Sequence, residues 1–149
     1  MIVYLDASAL AKKYIAEAGS EAVADLIAHA DVAGTSLISR AEVSAALAKA
    51  VRTGALRKDE AAKALRLFRQ QWPDFQRTHL TESLVVRADT LAWEHDLRGY
   101  DAVHLASALF WQESLGEPIT LATFDAQLWQ AGQPVGLSVW PEDINRFVR

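Results

Sequence analysis

Residues 2–6 read Ile-Val-Tyr-Leu-Asp, a short apolar run with β-branched residues that ends on a carboxylate. Such a run is typical of a strand that is buried on both faces of a sheet. Ser8 follows two residues later and is expected to cap a helix over Ala9–Ala16. The stretch therefore predicts a buried strand, an acid at its carboxyl end, and then a helix.

The same alternation of strand and helix continues along the chain. Further strands are predicted at Gly34–Ile38, Phe75–Leu80, Ile119–Ala122 and Val135–Val139. Helices are predicted over Ser20–Ala30, Arg40–Thr53, Lys58–Gln71, from Thr81 or Ser83 to about His95, over Asp101–Glu113 and over Asp125–Ala131. This alternation indicates the α/β class, with a parallel sheet covered by helices on both faces.

Length and composition fit one compact domain. The chain has 149 residues, of which 51% are hydrophobic and 23% charged, and it has no cysteine, which excludes disulfides and thiolate metal sites. We expect a single domain over residues 1–149, with a helical hairpin at about 40–72. No basic leader and no apolar stretch of roughly 20 residues is present, so we expect a cytoplasmic protein without a membrane segment.

Charge is unevenly distributed along the chain. The formal net charge is −4, yet residues 40–77 hold nine Lys or Arg against four acids, a balance of +5 that leaves −9 for the remainder. A cationic segment beside acidic surface can steer a polyanion such as nucleic acid. Charge runs are more often only solvated helix faces, so both interpretations stay open at this point.

Four acids lie where the predicted strands end. Asp6 directly follows the first strand, and Glu42 comes one turn into the helix after the second. Asp125 follows a later strand by three residues, and Asp101 begins the helix that leads into that strand. Ligands of open α/β sheets bind beyond the carboxyl ends of the strands. We therefore expect these four side chains to converge at one edge of the sheet.

Each acid also has a purely structural interpretation. Ser39 and Glu42 have the spacing of a capping box, and the three aspartates suit N-cap positions. Together, however, the acids repel, because two unit charges about 4 Å apart cost roughly 4 kcal/mol at an effective dielectric of about 20. A hard divalent cation, Mg²⁺ or alternatively Mn²⁺, is the usual counter-charge. Such a cation activates water toward a phosphodiester.

Four groups of residues carry a resemblance that spans essentially the whole chain: VYLDASAL at 3–10, Thr35-Ser36 with Glu42-Val43, LRGYDAVHLA at 97–106, and LATFDAQL at 121–128. Their order and spacing resemble the PIN-domain ribonucleases, specifically the VapC-type toxins of prokaryotic toxin–antitoxin pairs. The resemblance implies a three-layer α/β/α sandwich with parallel strand order 3-2-1-4-5. It also implies Mg²⁺-dependent endonucleolytic cleavage of single-stranded regions of RNA.

The resemblance assigns catalytic and metal-binding roles to Asp6, Glu42, Asp101 and Asp125. It assigns less specific roles to Ser8 and Thr123, as small hydroxyl side chains that order the pocket. A cognate antitoxin that neutralises the chain, and a homodimer, are further implications. The alternative function is a non-catalytic PIN-like module that binds RNA or protein. Such modules usually lose acids, and this chain keeps four.

Three residues near these acids have roles that the sequence leaves open. His104 lies one turn after Asp101 and is either a packed helix histidine or a contact of the site. Arg98 and Tyr100 either contact RNA or simply lie on the surface.

Two features of the sequence offer docking positions for an antitoxin. One is the acidic pocket, which an Arg or Lys of the partner would enter in place of metal. The other is an apolar groove beside the hairpin, suited to a partner helix unless its residues pack within the hairpin itself. That groove is expected to be lined by Ala45, Ala46, Leu47 and Leu65.

Overall fold

The computed structural model describes residues 1–147 and contains a five-stranded sheet with helices on both faces. The strands are β1 (Ile2–Leu5), β2 (Val32–Ser36), β3 (Gln76–Thr78), β4 (Ile119–Ala122) and β5 (Ser138–Trp140). Their order in the sheet is 3-2-1-4-5, and every neighbouring pair is parallel. The predicted fold class and strand order are confirmed.

Seven α-helices connect and cover the strands in the described residues. They are α1 (Ala7–Ala11), α2 (Ser20–His29), α3 (Ser39–Arg52), α4 (Lys58–Gln71), α5 (Glu82–His95), α6 (Gly99–Leu115) and α7 (Ala126–Gly132). Helices α3 and α4 pack against each other between β2 and β3 in the chain order. None of the helices in residues 1–147 is long and apolar enough to cross a membrane.

β1 lies at the centre of the sheet, and its side chains alternate between two hydrophobic cores. Val3 and Leu5 pack into the core formed with α1 to α4, whereas Tyr4 packs on the opposite face with α5, α6 and α7. All three side chains are fully buried. Asp6 follows at the carboxyl end of this strand, with β2 on one side and β4 on the other. The first polar residue after β1 is therefore placed between the two helical layers.

The first helix differs from the sequence prediction. The predicted span Ala9–Ala16 with Ser8 as its cap is wrong, because α1 begins at Ala7 and ends at Ala11. The carboxylate of Asp6 accepts the third N–H of the helix and so is the N-cap. The hydroxyl of Ser8 donates back to that carboxylate, so the residue expected to begin the helix serves the acid before it.

The last strand is also displaced. The prediction at Val135–Val139 is wrong at its start, because Gly136 adopts φ 95° in a turn that follows α7. The N–H of Leu137 donates to the carbonyl of Gly132 within this turn. The backbone groups of the turn are therefore used before β5 begins, and pairing with β4 starts at Ser138.

A glycine in β2 allows α6 to lie close to the sheet. A Cβ atom built on Gly34 would be 2.6 Å from the indole of Trp111, a distance that side chains do not adopt. Trp111 is 9% exposed and packs beside Tyr4, with ring centroids 6.5 Å apart. The absence of a side chain at this position therefore sets how closely α6, which carries Asp101 and His104, approaches the strands.

Candidate active site

Asp6 is the buried centre of the candidate site. It is 2% exposed, and its Oδ1 accepts the N–H of Ala9 at 2.9 Å. The hydroxyl of Ser8 donates to Oδ1 at 2.7 Å, and the hydroxyl of Thr123 donates to Oδ2 at 2.7 Å. Burial raises the pKa of the Asp6 carboxyl, against the lowering effects of His104 and of these hydrogen bonds. The direction of the Asp6 carboxylate is therefore fixed by its hydrogen bonds. These bonds do not fully replace the hydration that the carboxylate loses on burial.

Ser8 and Thr123 connect the end of β1 with the loop that follows β4. The N–H of Phe124 donates to the Ser8 hydroxyl at 2.9 Å, and the N–H of Asp125 donates to the Thr123 hydroxyl at 3.0 Å. Each hydroxyl thus accepts from this loop while it donates to Asp6. The two residues expected to order the pocket both contact its buried acid.

Two further acids, Asp101 and Asp125, are bridged by Arg98. Its Nε donates to Asp101 at 3.0 Å, and its Nη2 donates to Asp125 at 2.7 Å. Asp125 also caps α7 by accepting the N–H of Leu128, whereas Asp101 lies in the first turn of α6, which begins at Gly99. Burial raises the pKa of the Asp101 carboxyl, Arg98 lowers it, and the charge of Asp125 raises it.

The remaining acid, Glu42, ends a chain of hydrogen bonds. His104 is 1% exposed; its Nε2 lies 2.7 Å from Glu42 Oε1, and its Nδ1 lies 2.8 Å from the hydroxyl of Tyr4. A carboxylate only accepts, so Nε2 is the donor, and in a neutral imidazole Nδ1 then accepts from Tyr4. Burial raises the pKa of Tyr4 far above its ordinary value, so its hydroxyl keeps the proton. His104 is both a packed helix residue and a contact of the site.

The capping-box interpretation of Glu42 is wrong. Helix α3 begins at Ser39 with Ile38 as its N-cap, and the Ser39 hydroxyl lies 2.6 Å from that of Thr35. The start of the helix therefore makes no use of the Glu42 carboxylate. The Glu42 carboxylate lies instead against α6, where it accepts a hydrogen bond from His104.

The four acids, Asp6, Glu42, Asp101 and Asp125, are held in three separate groups. Within residues 1–147, no three acidic or histidine side chains converge as a ready-made metal centre. Arg98 holds two of the acids, His104 holds the third and hydroxyls hold the fourth. The donor atoms still suit a hard cation, because they are carboxylate and hydroxyl oxygens. Asp101 and Asp125 together already bind one cationic group, the guanidinium of Arg98.

Arg98 and the His104–Glu42 contact had no clear signal in the sequence. The Arg98–Asp125 and His104–Glu42 contacts join residues that are 27 and 62 positions apart in the chain, whereas the Arg98–Asp101 pair is local. The side chain of Tyr100, two residues along the chain from Arg98, is 68% exposed, so its role in RNA contact stays a prediction.

A groove of about 460 Å³ opens beside Glu42 and Ser8. Its lining includes the basic side chains of Lys12 and Lys49. The ammonium group of Lys12 lies 4.6 Å from the centre of the Phe124 ring. The groove therefore borders one of the four acids, Glu42, and carries two lysines, of which Lys12 is paired with Glu17 at 3.1 Å.

The apolar surface predicted beside the hairpin is divided. Leu47 is 2% exposed and belongs to the core, so its prediction as a docking residue is wrong. Ala46 lines the groove beside the acids, whereas Leu65 lines a separate cavity of about 430 Å³ with Leu37 and Phe68. Leu47 thus packs within the protein, as the alternative interpretation proposed.

Sequence comparison gives this chain close relatives. The PIN domain family matches residues 3–132. Two proteins of Mycobacterium tuberculosis, Ribonuclease VapC45 (strain CDC 1551 / Oshkosh) and Ribonuclease VapC49 (strain ATCC 25618 / H37Rv), are each 37% identical to it over 145 residues. These matches cover 97% of this chain and 98% of each relative.

A solved structure shares the fold at lower identity. The toxin–antitoxin complex from Klebsiella pneumoniae contains a chain with a TM-score of 0.65 at 20% identity, over 92% of this chain and 94% of that one. The family match, the two relatives and this shared fold agree over most of the length. The chain belongs to the PIN domain family, and within it to the VapC group.

Proposed function

We propose that this chain is a metal-dependent endoribonuclease, a toxin that cleaves RNA phosphodiester bonds at the four acids. One observation carries the proposal: 97% of the chain matches two proteins named ribonuclease at 37% identity. The chemistry of the site supports it, because Glu42 lines a groove that also carries the basic side chain of Lys49. No nucleophilic side chain is needed for hydrolysis at such a site.

We propose Mg²⁺ as the cofactor, with Mn²⁺ as an alternative, and the four acids as its candidate ligands. Asp6 and Asp101 are the strongest candidates, because burial raises the pKa of both carboxyls and a bound cation would offset that burial cost. When bound, the cation supplies the activation of water and neutralises charge that develops on the phosphodiester.

The protein's own residues would orient the reaction. Ser8 and Thr123 fix the direction of the Asp6 carboxylate through their hydroxyl groups. His104 holds Oε1 of Glu42, which lines the groove, and this contact would orient the carboxylate as a candidate ligand. Lys49, on the same groove, would bind a phosphate that flanks the scissile bond.

The test of the proposal is cleavage of single-stranded RNA by the pure protein. We expect cleavage with Mg²⁺ or Mn²⁺, none with EDTA, and little with Ca²⁺, whose longer and looser coordination positions water poorly. An Asp6→Asn preparation purified in parallel controls for contaminating nuclease. Cleavage that persists in EDTA and depends on Asp6 would reject the metal. RNA binding without cleavage under any condition would favour the non-catalytic PIN-like module.

We also propose a cognate antitoxin and a homodimer, in the cytoplasm. A ribonuclease without an inhibitor harms its own host, and the Klebsiella protein of the same fold was solved as a toxin–antitoxin complex. The test is expression of this chain alone and with its genomic neighbour. We expect growth arrest alone, rescue by the neighbour, and a complex on a sizing column that lacks ribonuclease activity. Harmless expression without a binding neighbour would reject the toxin role and leave the nuclease activity to its own test.

A further inference from the structure

We propose that Arg98 is a built-in competitor of the divalent cation. Its guanidinium serves as the counter-ion of Asp101 and Asp125 when no metal is bound, and it must leave those oxygens when the cation binds. The inference rests on the proposed function, because it concerns the same acids.

The geometry of Arg98 is that of a stand-in cation. Two different N–H groups of one guanidinium contact Oδ2 of Asp101 and Oδ2 of Asp125, at 3.0 and 2.7 Å. Hydrogen bonds between charged partners at these distances are among the stronger ones. The two acids come from separate elements, the first turn of α6 and the N-cap of α7. One guanidinium therefore joins two carboxylates that belong to different elements of the fold.

Arg98 and a divalent cation would compete for these two acids. A cation that took Asp101 and Asp125 as ligands would stand close to a positively charged guanidinium, and like charges at short distance repel. Asp101 has only 11% of its side chain exposed, so it gains from a counter-charge in either state. The two cations are thus alternatives at one pair of oxygens.

Arg98 is also able to leave. Its side chain is 71% exposed, and exposed ion pairs are weak because water and salt compete with them. Its backbone is the extended N-cap of α6, with ψ 151°, so the side chain can turn outward without disturbing the helix. The pairing is therefore strong enough to hold the acids and weak enough for exchange with a metal ion.

A purely structural clamp between α6 and α7 would show the same contacts, so the test must measure metal. We would compare Mn²⁺ binding by electron paramagnetic resonance in the wild type, Arg98→Gln and Arg98→Lys. The control is Arg66→Gln, which removes the same charge from α4 at a position that lines a different groove. We expect Arg98→Gln to bind Mn²⁺ about fivefold tighter or more, Arg98→Lys to be intermediate, and the control to change by less than about twofold.

A second measurement follows the guanidinium directly. The Nε–H NMR signal of Arg98, assigned by its loss in Arg98→Lys, should shift and exchange faster with solvent when Mg²⁺ saturates the site. If Arg98 only linked α6 to α7, its Nε–H signal would stay unchanged when Mg²⁺ is added. An unmoved signal at saturation, or Mn²⁺ affinity in Arg98→Gln that is equal to or weaker than that of the wild type, would overturn the inference. The NMR result stands even where Arg98→Gln folds poorly.

These outcomes separate the two proposals. Equal metal binding in the wild type and in Arg98→Gln removes the competitor role and leaves the metal-dependent site intact. Absence of Mn²⁺ binding from both folded proteins rejects the metal, and the competitor role with it. Thermal unfolding in EDTA adds a check on folding, because Arg98→Gln should melt below the wild type without metal and gain more from added Mn²⁺.

Discussion

Asp6→Asn is the most informative single change, because it removes a charge from the centre of the site with almost no change in volume. The amide oxygen can still accept from Ala9 and Ser8, as Oδ1 does now. At the other position an NH₂ group meets the Thr123 hydroxyl, which must stop donating and accept instead. Loss of one such acceptor costs about 1–3 kcal/mol.

The same change removes an ionised carboxylate that is 2% exposed, and its effective burial cost is several kcal/mol in order of magnitude. We therefore expect Asp6→Asn to unfold at the same temperature as the wild type, or higher, when both are measured in EDTA. RNA cleavage should fall about a thousandfold or more, which corresponds to roughly 4 kcal/mol of lost transition-state stabilisation.

The assays for Asp6→Asn are calorimetric unfolding in EDTA and cleavage of a labelled single-stranded RNA at saturating Mg²⁺. The matched control is Asp89→Asn, the same change at an exposed position on α5, which should leave both results unchanged. Full cleavage by Asp6→Asn, at matched folding, would remove Asp6 from the mechanism. Unfolding well below the wild type would refute the reasoning about its buried charge.

Three further predictions concern RNA binding, the hydrogen-bond chain and a distant ion pair. Lys49→Gln should weaken RNA binding in EDTA and reduce its salt slope by about 0.7, whereas Arg66→Gln, on α4 away from the groove, should change neither; equal effects would mean that only overall charge matters. Tyr4→Phe leaves Nδ1 of His104 without its donor and should cost about 1–3 kcal/mol in urea unfolding, so unchanged stability would contradict that hydrogen bond. Arg87 on α5 donates to the Glu113 carboxylate and holds the pKa of that carboxyl below its ordinary 4.5. The pair therefore stabilises the fold above pH 4.5 and loses this effect as the pH falls through the lowered pKa. Glu113→Gln should accordingly be less stable by up to about 1 kcal/mol at neutral pH, and a deficit that persists in acid would refute the assignment.

The strands and helices were predictable where the local pattern and the final packing agree. Helix α4 was predicted at Lys58–Gln71 and β4 at Ile119–Ala122, and both have these bounds in the structure. For α4 the helical spacing of apolar residues ends just before Pro73, so the sequence carries both the pattern and its stop. The prediction of where α1 begins was wrong because Asp6 and Ser8 are both suitable N-cap residues. Only the buried contacts show that Asp6 has this role.

The candidate site was predictable as a set of backbone positions. Asp6 directly follows the central strand, so fold topology alone brings it to the carboxyl edge of the sheet. The hydroxyl partners of Asp6 were expected from the resemblance, but the links from Arg98 to Asp125 and from His104 to Glu42 were not predictable. Arg98 was left between an RNA contact and the surface, and its choice of Asp101 and Asp125 depends on how the start of α6 approaches the loop after β4. That approach depends on packing across the whole domain, which local sequence does not encode.

The position of β1 has a consequence for translation. β1 leaves the ribosome before the other four strands, yet it lies between β2 and β4, so its second neighbour is complete only at Ala122. Thr123 and Asp125, which complete the contacts of Asp6 and Arg98, are added later still. A nascent polypeptide without this region cannot form these contacts while it remains attached near ribosomal RNA. For the ribonuclease that we propose, chains arrested before β4 should therefore be inactive, and cleavage by such chains would show that activity does not need Thr123 and Asp125.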